Sequence, residues 1–268
     1  MLDFVSKLRY DVNDLRELMG LLCGSEGCPW DREQTHESIR RNMLEEAYEA
    51  AEAIDSKNTE HLIEELGDVL MQVVFHADIA ERANTFTLDD IADATCKKLI
   101  RRHPHVFGDV KAEAGDDYLA FWDEMKRQEK QHETTSAAMN SVASSLPALW
   151  RAEKIQKKAA KVGFDWPDHS GATEVLRAEV EELESAIHNS SNVEEELGDL
   201  IFSAVNVARF FDIDPEVALN KTSTKFIERF AAMEELATLQ GKNLEDMSLD
   251  EMEELYQTIK AQSSELEK

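Results

Sequence analysis

The spacing of apolar residues along most of this chain follows the period of an α-helix. Residues 58–83 are typical, and their apolar stripe consists of Leu66, Val69, Leu70, Val73, Val74 and Ala77. The same period predicts helices near residues 3–22, 36–55, 58–83 and 88–102, and then near 147–161, 172–188, 192–211 and 215–238. Two of the starts carry capping residues, Thr87 and the pair Asp214-Pro215. The pattern therefore predicts an all-α fold.

Two parts of the chain are related in sequence. Residues 64–77 read EELGDVLMQVVFHA and residues 195–208 read EELGDLIFSAVNVA, so their first five letters are identical. The segments before them also match, with EEAYEAAEAI at 45–54 and AEVEELESAI at 178–187. Similarity at a nearly constant offset indicates a duplicated structural unit. We therefore expect two tandem helical bundles, at residues 1–110 and 147–240.

The other residues connect or follow these bundles. We interpret residues 111–146 as a connecting segment and residues 241–268 as an acidic helical tail. Residues 103–146 read as irregular except for a helical stretch at 118–131, and the Ser-, Thr- and Ala-rich residues 133–146 are typical of a linker.

Composition narrows the class of protein. Ten Gly and five Pro are few for 268 residues, which favours helices. A formal net charge of −27 argues against a nucleic-acid surface, because phosphate backbones bind positive surfaces. Three cysteines do not make a disulfide framework and favour a reducing compartment. The charged first residues do not read as a signal peptide, and no apolar run reaches about 18 residues, so we expect a cytoplasmic protein without membrane contacts.

Each copy carries the same pattern of carboxylates, E-x-x-E followed by E-x-x-D. The residues are Glu46, Glu49, Glu65 and Asp68 in the first copy and Glu179, Glu182, Glu196 and Asp199 in the second. Residues at i and i+3 share one face of a helix, so two packed helices would bring four carboxylates together. Ligands that are all oxygen favour Mg²⁺, or Mn²⁺, over iron or zinc. One such pair alone is usually a solvated surface, but two matched sets predict a metal site in each copy.

A carboxylate-bound magnesium ion points to phosphate chemistry, since a nucleoside triphosphate can complete the octahedron with its oxygens. The remaining phosphates then need partners of their own. The candidates are Asn220, Lys221, Lys225 and Arg229 in the second copy and Lys98 and Arg102 in the first. Weaker candidates are Lys154, Lys157 and Lys158. The alternative for all the basic residues is ordinary surface charge.

The two copies differ in these phosphate-binding candidates. Asp93 and Ala94 in the first copy replace the Asn-Lys pair at 220–221, so the first copy has the poorer set. We therefore predict that the second copy, with its four carboxylates, is the more active. One difference points the other way: Glu45 precedes the first set, whereas Ala178 stands at that place in the second. If that leading glutamate activates water, the prediction reverses.

Two tryptophans stand in loops that correspond between the copies. Trp30 lies in GSEGCPWD and Trp166 lies in VGFDWPD. Both could stack on a nucleotide base, or they could simply pack against the bundle.

Together the motifs resemble the MazG family of nucleoside triphosphate pyrophosphohydrolases, within the all-α NTP pyrophosphatase superfamily. The resemblance rests on CPWDREQTHESIRRNMLEEAYEAAEAI, EELGDVLMQVVFHA and RRHPHVFGDV in the first half, and on RAEKIQKKAAKVGFDW, EELGDLIFSAVNVARF and DPEVALNKTSTKF in the second. It implies Mg²⁺-dependent cleavage of NTPs and dNTPs between the α and β phosphates, for nucleotide-pool housekeeping or stress control. It also implies an intertwined homodimer and a metal-ligand role for the eight carboxylates.

Two other interpretations compete with a hydrolase. One is a helical regulator that binds nucleotide and metal without turnover, and the other is an acidic interaction protein whose repeat reflects only bundle packing. Two complete carboxylate sets favour the enzyme, because a scaffold has no need of them. Stabilisation by Mg²⁺ would argue against the interaction protein.

Overall fold

The computed structural model describes residues 4–108 and 134–266, with side chains to residue 262. Its regular structure there is helical, which confirms the all-α prediction. The chain divides into two compact units, Met1–Lys126 and Arg127–Lys268. None of the described helices combines the length and the apolar character that a membrane crossing requires. The predicted boundaries at 110/111, 146/147 and 240/241 stay predictions.

The described part of the first unit contains six helices. They are α1 (Val12–Cys23), α2 (Pro29–Glu33), α3 (Arg40–Asp55), α4 (Thr59–Arg82), α5 (Leu88–Arg102) and α6 (Pro104–Phe107). The ends follow from capping chemistry: the side chain of Asn58 accepts hydrogen bonds at the start of α4, and Thr87 does so at the start of α5. A short connection makes α3 and α4 an antiparallel hairpin, and these two helices share the most extensive packing of the unit.

The core of the first unit lies between α1, α4 and the start of α3. It is a cluster of the buried side chains of Met19, Cys23, Ile39, Val74 and Phe75, with Leu15, Met71, Ile79 and Leu88 packed around it. Burying such side chains contributes about 1.5–3 kcal/mol each. This cluster therefore fixes one side of α4, while α3 covers another.

The described part of the second unit contains α7 (Thr135–Asn140), α8 (Ala148–Ala160), α9 (His169–Asn189), α10 (Val193–Phe210) and α11 (Pro215–Leu239), then a 3₁₀ turn (Leu244–Asp246) and α12 (Leu249–Leu266). Helices α9 and α10 form the hairpin that corresponds to α3 and α4. Helix α11 packs mainly against α12, where Met233, Ala237 and Leu255 are buried. The two hairpins confirm the tandem arrangement.

Several local predictions are wrong. The CPWD segment forms the short helix α2 rather than a loop. Pro29 is the first residue of this helix, where the N–H group that proline lacks would have no intrahelical partner. Residues 103–146 are not irregular throughout, because they include α6 and α7. The predicted helical stretch at 118–131 lies outside the described residues.

The inward face of α4 also differs from the predicted stripe. Glu65 is only 8% exposed, whereas Leu66 is 51% exposed and Leu70 is 36% exposed. The carboxylate lies on the face that packs against α3, and the two leucines form part of an open surface. Gly67 does not mark a close backbone approach among the described residues either, because a Cβ atom built on it meets nothing within 4 Å, and the same holds for Gly198.

Candidate metal centres

The first carboxylate cluster lies between the two helices of the α3–α4 hairpin. Glu46 and Glu49 come from α3 and Glu65 comes from α4, and their ligand oxygens lie within 4.8 Å of one another. Burial raises the pKa of Glu46, and the negative charges of Asp68, Glu49 and Glu65 raise it further. The structure thus brings all four predicted residues of the first copy together, with Asp68 beside the tight group of three.

The second cluster repeats this arrangement in the α9–α10 hairpin. Glu179, Glu196 and Asp199 place ligand oxygens within 4.8 Å of one another. Burial raises the pKa of Glu179, followed by the charges of Glu182, Asp199 and Glu196. Burial and then the charge of Glu182 also raise the pKa of Glu196. Glu182 is therefore an electrostatic neighbour of the three, and all four predicted residues converge here as well.

Both groups fit a hard divalent cation. Carboxylate oxygens are the ligands that such ions prefer, and a cation between them removes the mutual repulsion that raises these pKa values. In the first cluster, Glu65 Oε2 is buried and has no hydrogen-bond partner among the described residues. A buried carboxylate oxygen without a partner is costly, and a bound cation would compensate for that cost.

The protein surrounds the two clusters differently. In the first, His61 Nε2 lies 3.0 Å from Glu65 Oε1, and Gln72 Nε2 approaches Glu46 Oε1 at 3.5 Å. At the corresponding places the second copy has Asn192 and Ser203. The Ser203 hydroxyl donates instead to the carbonyl of Leu200 at 2.8 Å. Among the side chains of residues 134–262, none donates a hydrogen bond to the second carboxylate cluster.

The predicted phosphate-binding residues of the second copy lie on α11. Asn220, Lys221 and Lys225 are exposed, and Arg229 is half-buried with an Nε atom that has no partner in the described structure. No ion pair joins these three basic residues to a carboxylate in residues 134–262. The structure therefore leaves the α11 cations available for a ligand but does not bring them to the carboxylates.

The other predicted cations are distributed over two helices. Lys98 is exposed and Arg102 is half-buried, both on α5. On α8, Lys154 is exposed, Lys158 is half-buried, and Lys157 pairs with Glu153 at 2.6 Å. That pair has the i,i+4 spacing of an ordinary surface ion pair, which favours the simple surface role for Lys157.

The two tryptophans have different settings, although their segments correspond. Trp30 is 57% exposed on α2. Trp166 packs across Gly171, where an added Cβ atom would lie 2.6 Å from the indole ring. Trp166 also lines a cavity of about 490 Å³ in the second unit, together with Gln156, Asn206 and Arg209. Sequence reasoning missed these three residues, because on an amphipathic helix they read as ordinary polar positions.

Comparisons with known proteins identify the family of the chain. The MazG nucleotide pyrophosphohydrolase domain model matches residues 34–107 and 168–232. The chain is 46% identical over 247 residues to a nucleoside triphosphate pyrophosphohydrolase/pyrophosphatase MazG of Thermotoga maritima, covering 92% of this chain and 94% of that protein. It is 41% identical over 244 residues to a nucleoside triphosphate pyrophosphohydrolase of Escherichia coli strain K12, covering 90% of this chain and 93% of that protein. Both domain matches contain one carboxylate cluster each, and the chain belongs to the MazG nucleotide pyrophosphohydrolase family.

Proposed function

We propose that this chain hydrolyses nucleoside triphosphates, ribo- and deoxyribonucleotides alike, between the α and β phosphates to a nucleoside monophosphate and pyrophosphate. Family membership and the names of the two relatives support hydrolysis of nucleoside triphosphates. The observation that carries the proposal is the second cluster, in which Glu179, Glu196 and Asp199 converge without hydrogen-bond donors from the described protein. Magnesium, or manganese in its place, is the ion that such oxygen ligands fit.

Each group of residues has a distinct part in this reaction. The three converging carboxylates would hold the ion, and Glu182 adds negative charge beside them. Bound Mg²⁺ would neutralise phosphate charge and lower the pKa of a coordinated water. Lys221, Lys225 and Arg229 would bind the remaining phosphate oxygens, and Asn220 would donate from its amide. Because the first copy lacks the 220–221 pair, we assign turnover to the second copy.

We also propose a homodimer. Each hairpin exposes an apolar stripe next to its carboxylates, and the exposed residues are Leu66 and Leu70 on α4 and Leu197 and Ile201 on α10. An exposed glycine stands within each stripe, at 67 and at 198, with free space where a Cβ atom would be. A glycine in a helix interior costs up to about 1 kcal/mol relative to alanine, and close packing of a second subunit's helix is a physical reason to keep it.

Phosphorus NMR of the products from GTP and from dCTP, each with Mg²⁺, tests the reaction. We expect monophosphate and pyrophosphate and no reaction in EDTA. Diphosphate with orthophosphate would contradict the proposed bond cleavage. Bound nucleotide without turnover would contradict the enzyme and favour the regulator.

The physiological role, whether pool housekeeping or stress control, stays a prediction. So do the cytoplasmic location and the absence of nucleic-acid and membrane partners. The product analysis bears on none of these.

A further inference from the structure

The first turns of α8 and α11 are joined by hydrogen bonds in both directions. From α8, Trp150 Nε1 donates to Asp214 Oδ1 at 2.8 Å and to Oδ2 of the same carboxylate at 3.0 Å. From α11, Glu216 Oε1 accepts from the backbone N–H group of Leu149 at 3.3 Å. The partners in these bonds are 64 and 67 residues apart in sequence, so the junction is a tertiary contact rather than a local turn.

The junction also caps the two helices. Helix α8 begins after Pro147, which makes no side-chain capping bond, so Glu216 satisfies an N–H group that has no partner within α8. Asp214 is the N-cap of α11 and accepts from the backbone N–H group of Val217 at 3.1 Å. The negative charge of both carboxylates is favourable at the positive ends of the helix dipoles. Each helix start therefore depends on a side chain that also binds the other helix.

Beyond the junction, α11 is exposed along the stretch that carries the phosphate-binding candidates. Pro215 is buried and Val217 is half-buried, whereas every residue from 219 to 228 is exposed. Burial returns at Met233 and Ala237, in the cluster shared with α12. The first turn of α11 therefore links the exposed stretch to α8, and α8 packs along α10, the helix that carries part of the second carboxylate cluster.

Any change of direction in the first turn is amplified along α11. At 1.5 Å per residue, Lys221 lies about 8 Å from Glu216 along the axis and Lys225 lies about 14 Å from it. A tilt of about 10° in the first turn would thus move Lys225 by about 2 Å. A misplacement of about 1 Å in the machinery of an enzyme can cost about 100-fold in rate. The junction is therefore in a place where it can control how the α11 cations reach a substrate.

Resting on the proposed function, we propose that Trp150 is a positioning residue for the phosphate-binding stretch of α11. Its indole N–H group holds Asp214 at the start of α11, and Glu216 holds the start of α8 in return. The two bonds together fix the direction in which Lys221 and Lys225 are presented to the substrate phosphates. Trp150 acts through these lysines and has no contact with the substrate of its own.

Amide exchange on the full chain tests the positioning without substrate, metal or turnover. Trp150→Phe keeps an aromatic ring but removes the N–H donor. It should speed exchange of the amides at 219–225 about 10-fold, because a hydrogen bond to a charged group is lost, and leave exchange within α9 unchanged. Thr238→Val is the control, since it removes a hydroxyl group that donates to the carbonyl of Glu234 within α11. It should leave the amides at 219–225 unchanged.

Steady-state kinetics tests the consequence for the substrate. Trp150→Phe should lower kcat/KM for GTP about 10-fold, whereas Thr238→Val should not change it. In the double variant of Trp150→Phe with Lys225→Ala, the loss should be at least about 3-fold smaller than the product of the two single losses, because Trp150 acts partly through this lysine. Such a double-mutant cycle separates coupled residues from independent ones.

Glu216→Met is an independent variant in case Trp150→Phe disturbs the fold. It removes the acceptor of the Leu149 N–H group and should also speed exchange at 219–225, whereas Glu216→Gln keeps an acceptor oxygen and should restore most of the protection. Unchanged exchange at 219–225 in both Trp150→Phe and Glu216→Met, or losses of kcat/KM that multiply in the double variant, would overturn the inference. A wild type that does not hydrolyse GTP would contradict the proposed function, and the exchange rates would still decide whether the junction positions α11.

Discussion

The two units carry the same ligand pattern in different surroundings. In the first cluster His61 and Gln72 contact carboxylate oxygens, so the protein itself supplies part of the hydrogen bonding that these oxygens need. In the second cluster the described residues supply no such donors. Burial, followed by the neighbouring carboxylates, raises the pKa values of Glu179 and Glu196, as it does that of Glu46 in the first cluster. We therefore expect the second copy to depend more on a cation to relieve the repulsion between its carboxylates. A duplicated motif predicts two sites, but the groups around each copy differ, and we expect their roles to differ with them.

The packing next to the two clusters also differs between the two units. Position 75 of α4 is a buried phenylalanine in the apolar core of the first unit, and the corresponding position 206 of α10 is the asparagine that lines the cavity. An apolar side chain thus fills the position in the first unit where the second unit has a polar group beside a cavity. We read the first unit as the more structural copy and the second as the copy that binds nucleotide.

The largest effect that we expect is stabilisation by Mg²⁺. An ion that binds only the folded state adds about 2.7 kcal/mol at 100 times its Kd. Glu196→Gln should remove more of this gain than Glu65→Gln, because the first cluster already has protein donors. Thermal unfolding with Mg²⁺ and with EDTA measures both. A wild-type melting temperature that does not respond to Mg²⁺ would contradict the metal sites.

The next effect separates the phosphate-binding residues of the two copies. Lys225→Ala should lower kcat/KM for GTP by about 100-fold, since a charge-assisted phosphate contact is lost in the transition state. Lys98→Ala, at the corresponding position of the first copy, is the matched control and should change it by less than about 3-fold. Steady-state kinetics at saturating Mg²⁺ gives both values. Equal losses of kcat/KM would show that both copies contribute equally to turnover.

A smaller effect tests the subunit interface in each copy. Gly67→Ala and Gly198→Ala should each stabilise an isolated subunit by up to about 1 kcal/mol, because the added Cβ atom meets nothing in the chain. If a partner helix packs there, the same changes should weaken the dimer. Sedimentation over a range of concentrations, read together with thermal unfolding, distinguishes the two effects. A dimer that is unchanged by both substitutions would place the interface elsewhere.

The smallest effect concerns a histidine pair that only the first copy has. His36 Nδ1 and His76 Nδ1 lie 2.8 Å apart, and burial, followed by the charge of His36, lowers the pKa of His76. A lowered pKa means that this contribution to stability is present above about pH 6.5, the unfolded value, and is lost as the pH falls through the folded pKa. We expect a loss of about 1 kcal/mol or less between pH 7.5 and pH 5.

The second copy provides the matched substitution for that pair. Valine stands at the corresponding position 207, so His76→Val removes the titration in a way that this fold already accommodates. The opening free energy of α4, measured by amide exchange, should then depend less on pH than in the wild type. An unaltered pH dependence in the variant would assign the effect to other groups.

Helix periodicity and capping were sufficient to predict most of the helices, because these signals are local. Helix α5 was predicted at 88–102 and lies at Leu88–Arg102, where Thr87 caps it as expected. The short helices α6 and α7 have too few residues to show a period. The exposure of Leu66 could not be predicted either, since which face of an amphipathic helix is buried depends on its partners rather than on its own pattern.

The carboxylate clusters were predictable because an i,i+3 spacing and a short hairpin nearly determine the geometry. The cavity was not, because its volume depends on how α8, α10 and the Trp166 segment pack, and those residues are distant in sequence. The hydrogen bonds of Gln156 and Asn206 likewise depend on Phe202 and Arg209 as neighbours. The positions of the α11 cations relative to a bound triphosphate stay a prediction.

We expect the two equal-looking clusters to have unequal roles, and a comparison of Glu49→Gln with Glu182→Gln tests this difference. Both substitutions remove one negative charge at the same place in the motif without changing side-chain size. Measured as kcat for GTP with saturating Mg²⁺, Glu182→Gln should lose about 100-fold or more and Glu49→Gln less than about 10-fold. Equal losses from the two variants, or a larger loss from Glu49→Gln, would contradict the proposed dominance of the second cluster.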